Sequence, residues 1–77
     1  MIKVLIVEDQ FILQKTLEEK LSFYSDVQVK FCARNGEEAL GYLADHRTID
    51  LVLMDIEMPV MNGIVATDII KQKYPHI

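Results

Sequence analysis

A chain of 77 residues can hold one small domain, and with 51% apolar residues it carries far too much hydrophobic material for a disordered tail. Eight basic against twelve acidic residues give a net charge of −4, which argues against a surface built to hold nucleic-acid phosphates. A single cysteine, Cys32, rules out an internal disulfide, no apolar run reaches bilayer length, and the first apolar run meets Glu8 and Asp9 too soon for a signal core, so the composition is that of a cytoplasmic protein with no membrane partner.

The N-terminal IKVLIV (2–7) is dense in β-branched residues and reads as a strand. From Phe11 to about Tyr24 the period becomes helical, with Leu13, Leu17, Leu21 and Tyr24 on an inner face and Gln14, Lys15, Glu18 and Glu19 on an outer one. VQVKFCA (27–33) alternates apolar and polar, as a strand with one better-covered face would. NGEEALGYLADHR (35–47) is a second helix, with Asn35 as N-cap, Glu37 and Glu38 at the positive end of the helix dipole, and Ala39, Leu40 and Leu43 facing inward. DLVLMD (50–55) is a third strand whose apolar middle suits a central position covered on both faces. After Asn62-Gly63, Val65, Ala66, Ile69 and Ile70 share one side of a third helix, which Pro75 stops.

The order is βαβαβα, and strands and helices alternating at these lengths imply parallel strands joined by right-handed crossovers. Parallel strands bring their C-terminal ends to one edge of the sheet, where open α/β sheets bind ligands. Strand one ends on Glu8-Asp9 and strand three on Asp55, so if these strands are neighbours three carboxylates meet in one crevice. Like charges that close raise one another's pKa unless a cation sits among them, and hard oxygen donors with room for water suit Mg²⁺. A carboxylate such as Asp55 can also attack phosphorus to form an acyl phosphate.

KVLIVEDQ, NGEEAL and above all LVLMDIEMPVMNG resemble the receiver domain of bacterial two-component response regulators, over residues 2 to 77. MNGIVATDIIKQKYPHI further resembles receivers attached to LuxR-type helix-turn-helix domains. The resemblance implies that residues 1–77 form the N-terminal part of a receiver domain, the βαβαβα part of a flavodoxin-like (βα)5 doubly wound parallel sheet. It implies that Asp55 accepts a phosphoryl group from a phosphohistidine on a sensor histidine kinase. It implies a Mg²⁺ held by Asp9 directly, Glu8 mostly through water, Asp55, and the main-chain carbonyl of Glu57. The function implied is signalling and not enzymatic turnover, with phosphorylation regulating an output domain, transcriptional by the LuxR likeness, that alone would touch DNA.

Each of these residues also has a plainer reading. Glu8 and Asp9 could be a solvated helix start, Asp55 a turn acid, Cys32 a packed strand residue, and His46 and His76 surface histidines. Met54, Met58 and Met61 suit packing, and Lys71 and Lys73 suit the negative pole of the third helix. A dinucleotide site is excluded by the lack of a Gly-rich first turn. Two alternatives stay open: a receiver-like interaction module that takes no phosphate, and a phosphatase of the haloacid-dehalogenase type, which would want Asp where Glu57 stands. The family has five strand–helix units and three are present here, without the Ser or Thr and the Lys that end its fourth and fifth strands. With the family's strand order, strand three would then lack its outer neighbour, and self-association through that edge is expected.

Overall fold

The computed structural model describes residues 1–54 and 63–77. Its elements run β1 (Ile2–Val7), α1 (Phe11–Leu21), β2 (Val27–Ala33), α2 (Gly36–Asp45), β3 (Leu51–Met54) and α3 (Gly63–Lys73), the expected βαβαβα order. The three strands form one parallel sheet in the order β2-β1-β3. β1 is therefore the strand paired on both sides, and Val4, Leu5, Ile6 and Val7 are all fully buried. β3 lies outermost among the described strands, with Leu51 44% exposed: this is the position the family's strand order gives it, although its apolar run alone suits a central strand.

Alternation along β1 splits the core between two faces. Leu5 and Val7 pack with Ala39 and Leu43 of α2, Ile49, and Ile70 and Tyr74 at the end of α3. Ile6, on the opposite face, pairs with Cys32, whose thiol meets Glu18 of α1. Thus α1 covers one face and α2 with α3 covers the other, as right-handed crossovers require when successive connections run in opposite directions across the sheet.

Three features depart from the hydropathy pattern. The register of β1 with β2 shifts between Val4↔Val29 and Leu5↔Phe31, leaving Lys30 as the extra residue of a bulge. Its effect is to turn Phe31 and Ala33 onto the face of Leu5 and Val7, whereas Val29 pairs with Val4 on the other, so β2 has no single better-covered face. Phe31 there stacks on Tyr42 at 4.4 Å between ring centroids, and Tyr42 stacks on His46 at 3.9 Å, a three-ring pile extending off α2. On α1 the inward residue is Gln14, while Leu13 is 42% exposed and Leu17 and Leu21 are only half-buried. The helix also stops at Leu21: the Ser22 hydroxyl donates to the Glu19 carbonyl, and Tyr24 lies beyond in an exposed turn. On α3 the buried line is Gly63, Ala66 and Ile70, continued by Tyr74, and Val65 faces solvent because it sits a residue short of that line.

Caps and ends otherwise follow the sequence. The Asn35 side chain accepts from the Glu38 N–H at 2.8 Å, and the Glu38 carboxylate reaches back to the Arg34 N–H at 3.3 Å, a reciprocal arrangement close to a capping box. The start of β1 is joined to the entry of β3 by two bonds: the Lys3 N–H donates to an Asp50 carboxylate oxygen at 2.9 Å, and the Asp50 N–H donates to the Lys3 carbonyl at 2.8 Å. Among the described residues no helix is long and apolar enough to cross a membrane.

Candidate functional site

The last paired residues of the three strands stand abreast: Val7 pairs with Ala33 on one side and with Met54 on the other. The chain thus delivers Glu8 and Asp9 immediately beyond β1 at the same edge where β3 delivers the residue after Met54. That residue is Asp55. It, together with Glu57, Met58-Pro59 and Asn62, lies outside the described residues, and the acid pair is the described part of the expected site.

Glu8 and Asp9 occupy different environments. Glu8 is 6% exposed, and one of its carboxylate oxygens accepts the Gln10 N–H at 3.1 Å. The bond matters locally because Gln10, the N-cap of α1, makes no side-chain cap bond of its own. An acid two residues upstream satisfies one of the donors that every helix start leaves open. Asp9, by contrast, is exposed. One carboxylate of the pair is thus turned onto the helix start and the other is presented to solvent. Among the described residues no three of His, Cys, Asp and Glu cluster as a metal site; the pair supplies two hard oxygen donors, and a third would have to come from elsewhere.

Sequence reasoning placed Gln14 on the outer face of α1, and the structure corrects this. Its side chain is buried, and its amide donates to the Glu8 carbonyl and, at 3.5 Å, to the Ala33 carbonyl. The Ala33 carbonyl also accepts the Glu8 N–H at 2.9 Å, so one side chain from α1 closes over the ends of β1 and β2. No hydropathy signal could have shown this, since the attraction comes from two strand-end carbonyls that only the topology brings together. Beside the pair, an open groove of about 460 Å³ runs between α1 and β3, lined by Val7, Glu8, Leu13, Leu17, Leu53 and Met54. Among the described residues of its wall, Glu8 is the one that ionises.

The remaining candidates stay outside this edge. Cys32 is half-buried in β2, with its thiol donating to the Glu18 carboxylate at 2.9 Å. Burial, then the hydrogen bond to Glu18 and the charge of Glu18, push the thiol up to about 12, against a smaller opposing effect of Lys15. A thiol so held is the reverse of a nucleophile. His46 and His76 are both exposed; His46 ends the aromatic pile and His76 lies edge-on to Tyr74.

A family model, the response regulator receiver domain, matches residues 4–77. The chain belongs to the response regulator receiver family. Its strands and helices superpose on the response regulator domain of Thermotoga maritima CheB with a TM-score of 0.89 at 35% identity, covering 97% of this chain and 55% of that one. CheY from Borrelia burgdorferi, solved in a complex with CheX, BeF3 and Mg²⁺, superposes with a TM-score of 0.83 at 33% identity, covering 94% and 54%. A curated relative, the transcriptional regulatory protein LnrK of Bacillus subtilis, is 40% identical over 77 residues, the whole of this chain and 34% of LnrK. The receiver chain spans about a fifth to a third of the length of the curated relatives it matches. Its three parallel strands and three helices are those of the flavodoxin-like receiver fold, and this membership replaces the haloacid-dehalogenase alternative.

Proposed function

We propose that the chain is the N-terminal part of a cytoplasmic receiver that takes a phosphoryl group on Asp55 from a sensor histidine kinase and relays it to an output domain. The observation that carries the reading is the register at the sheet edge: Val7 and Met54 are partners in parallel strands, so Glu8-Asp9 and Asp55 follow directly from adjacent strand ends. In the transfer, a carboxylate oxygen of Asp55 attacks phosphorus in line as the P–N bond of the phosphohistidine breaks, and the electron pair remains on the imidazole nitrogen. The product is an acyl phosphate, labile to hydroxylamine, bearing close to two negative charges that can bias neighbouring loops.

The donors present suit Mg²⁺: Asp9 would bind it directly, Glu8 through water, with Asp55 and the Glu57 carbonyl completing the protein share. When bound, Mg²⁺ supplies neutralisation of the phosphoryl oxygens' charge. The chain's own contribution is to present Asp9 to solvent and keep Glu8 against the start of α1. The likeness to CheY in its Mg²⁺ complex supports this choice of metal, and the likeness to LnrK supports a transcriptional output, acting on DNA through a segment other than this one.

Incubation with acetyl phosphate and Mg²⁺ followed by intact-mass measurement tests the reading. The expected result is a gain of one phosphoryl group, lost in hydroxylamine and absent from the Asp55→Asn variant. A folded chain that takes up no phosphate is an interaction module instead, and labelling of Asp55→Asn at the unaltered rate would remove Asp55 from the chemistry.

A further inference from the structure

We propose that Gln14 is a positioning residue for the acid pair, holding the main chain at Glu8 so that Asp9 meets its cation in a fixed place. This rests on the reading of the sheet edge as a Mg²⁺ site. A glutamine on an amphipathic helix ordinarily faces water, because burying an amide without partners costs several kcal/mol by transfer from water to an apolar medium. Gln14 is nonetheless buried, and its donors are used on the Glu8 and Ala33 carbonyls. Both carbonyls lie at the point where β1 and β2 give out, and the Ala33 carbonyl is shared with the Glu8 N–H.

The peptide group after Glu8 is thereby fixed on one side by Gln14, while the Glu8 carboxylate is engaged with the Gln10 N–H on the other. Asp9 lies between these two anchors. Outside regular structure, a segment of two residues would otherwise sample several backbone wells, at roughly 1–2 kcal/mol per residue to order. Ordering it before the cation arrives removes that cost from binding, which is how groups behind a metal's direct ligands change affinity by about 10- to 100-fold. Gln14 touches neither metal nor phosphoryl group in this scheme and acts only through the backbone.

The decisive comparison uses Gln14→Met, which keeps length and volume and removes both donors, and Gln14→Asn, which keeps the amide but shortens its reach. Leu21→Ala, loosening the far end of α1, serves as the control for mere destabilisation. Amide hydrogen exchange at Glu8 and Gln10 is followed without metal, and Mg²⁺ affinity is measured by titrating the Asp9 amide resonance. In Gln14→Met, faster exchange at Glu8 and a Kd for Mg²⁺ raised about 10-fold or more are expected. Gln14→Asn should fall between, and it carries the comparison if the Met variant does not fold. Leu21→Ala should leave the Kd within about two-fold of the unaltered protein. An unchanged Kd in a folded Gln14→Met protein, or an equal shift in Leu21→Ala, overturns the proposal. Should the unaltered protein bind no Mg²⁺ while exchange at Glu8 still responds to Gln14→Met, the metal reading fails and the positioning role falls with it, leaving Gln14 as a packing clamp.

Discussion

Replacing Glu18 with Gln tests whether the contact between α1 and β2 is governed by a thiol–carboxylate pair. Cys32 donates to Glu18 at 2.9 Å, and its pKa is raised from 9.0 to about 12, first by burial and then by the bond and charge of Glu18. At pH 8 a thiol of pKa 9.0 is about one-tenth ionised and one of pKa 12 about one ten-thousandth, so alkylation by iodoacetamide should be roughly 1000-fold slower in the folded protein than in urea. Glu18→Gln removes the negative charge and offers a weaker acceptor while leaving burial in place. The native rate should then rise by an intermediate amount, on the order of ten-fold, and its pH dependence should move toward lower pH. Stability follows the same pair. Below about pH 9 the thiol is protonated in the folded and unfolded chains alike, and its contribution is fully present. Between about 9 and 12 only the unfolded chain releases the proton, so stability falls as pH rises, and Cys32→Ser should flatten that fall. Equal alkylation rates for the unaltered and Glu18→Gln proteins, or a native rate matching the unfolded one, would refute the pairing.

Asn35→Ala should cost about 1 kcal/mol in urea unfolding with an unchanged m-value, since it removes the acceptor of the Glu38 N–H at the start of α2. Leu43→Ala, at a fully buried position, should cost about 2–5 kcal/mol, enough in so small a domain to broaden or abolish the cooperative transition seen by circular dichroism. In a calorimetric Mg²⁺ titration, Asp9→Asn should lose more affinity than Glu8→Gln, because the exposed acid is the expected direct ligand; equal losses would undo that ranking. The outer edge of β3, with Leu51 exposed, should make the 77-residue chain associate with concentration in light scattering, and Leu51→Lys should suppress it; a monomer at high concentration would refute edge pairing.

The parts legible in the sequence are those that a local pattern controls. β1 is legible as a run dense in β-branched residues, and α2 from Asn35 as N-cap with Glu37 and Glu38 at the positive end of its dipole. The acid pair could be assigned to the sheet edge because parallel topology alone dictates where strands end. Hydropathy failed where a partner distant in sequence sets the outcome. Gln14 turns inward toward carbonyls nineteen and six residues away, and no helical periodicity encodes that. The Lys30 bulge preserves an alternating appearance while reversing which face the alternation serves, so β2 looked simpler than it is. Val65 reads as part of the inner side of α3 because it is one more apolar residue near Ala66, but the buried line of that helix runs through Gly63, Ala66 and Ile70.

The paired bonds between Lys3 and Asp50 give the sheet a zero mark. They lie at the opposite end of β1 from the acid pair, about 16 Å from Glu8 by strand geometry, on an exposed aspartate that no inspection of the acid-bearing edge would single out. Parallel strands are rulers laid side by side, and the reading at one end depends on alignment at the other. A slip of one residue there would displace Met54 from Val7 by about 3.3 Å and turn the side chains of β3 to the opposite face. Asp50→Ala therefore removes an alignment mark rather than a surface charge, whereas Asp50→Asn, which keeps an oxygen acceptor, preserves it. A survey of variants ranked by distance from the acid pair would place Asp50 among the least consequential positions, and the register between β1 and β3 places it among those that keep Val7 beside Met54.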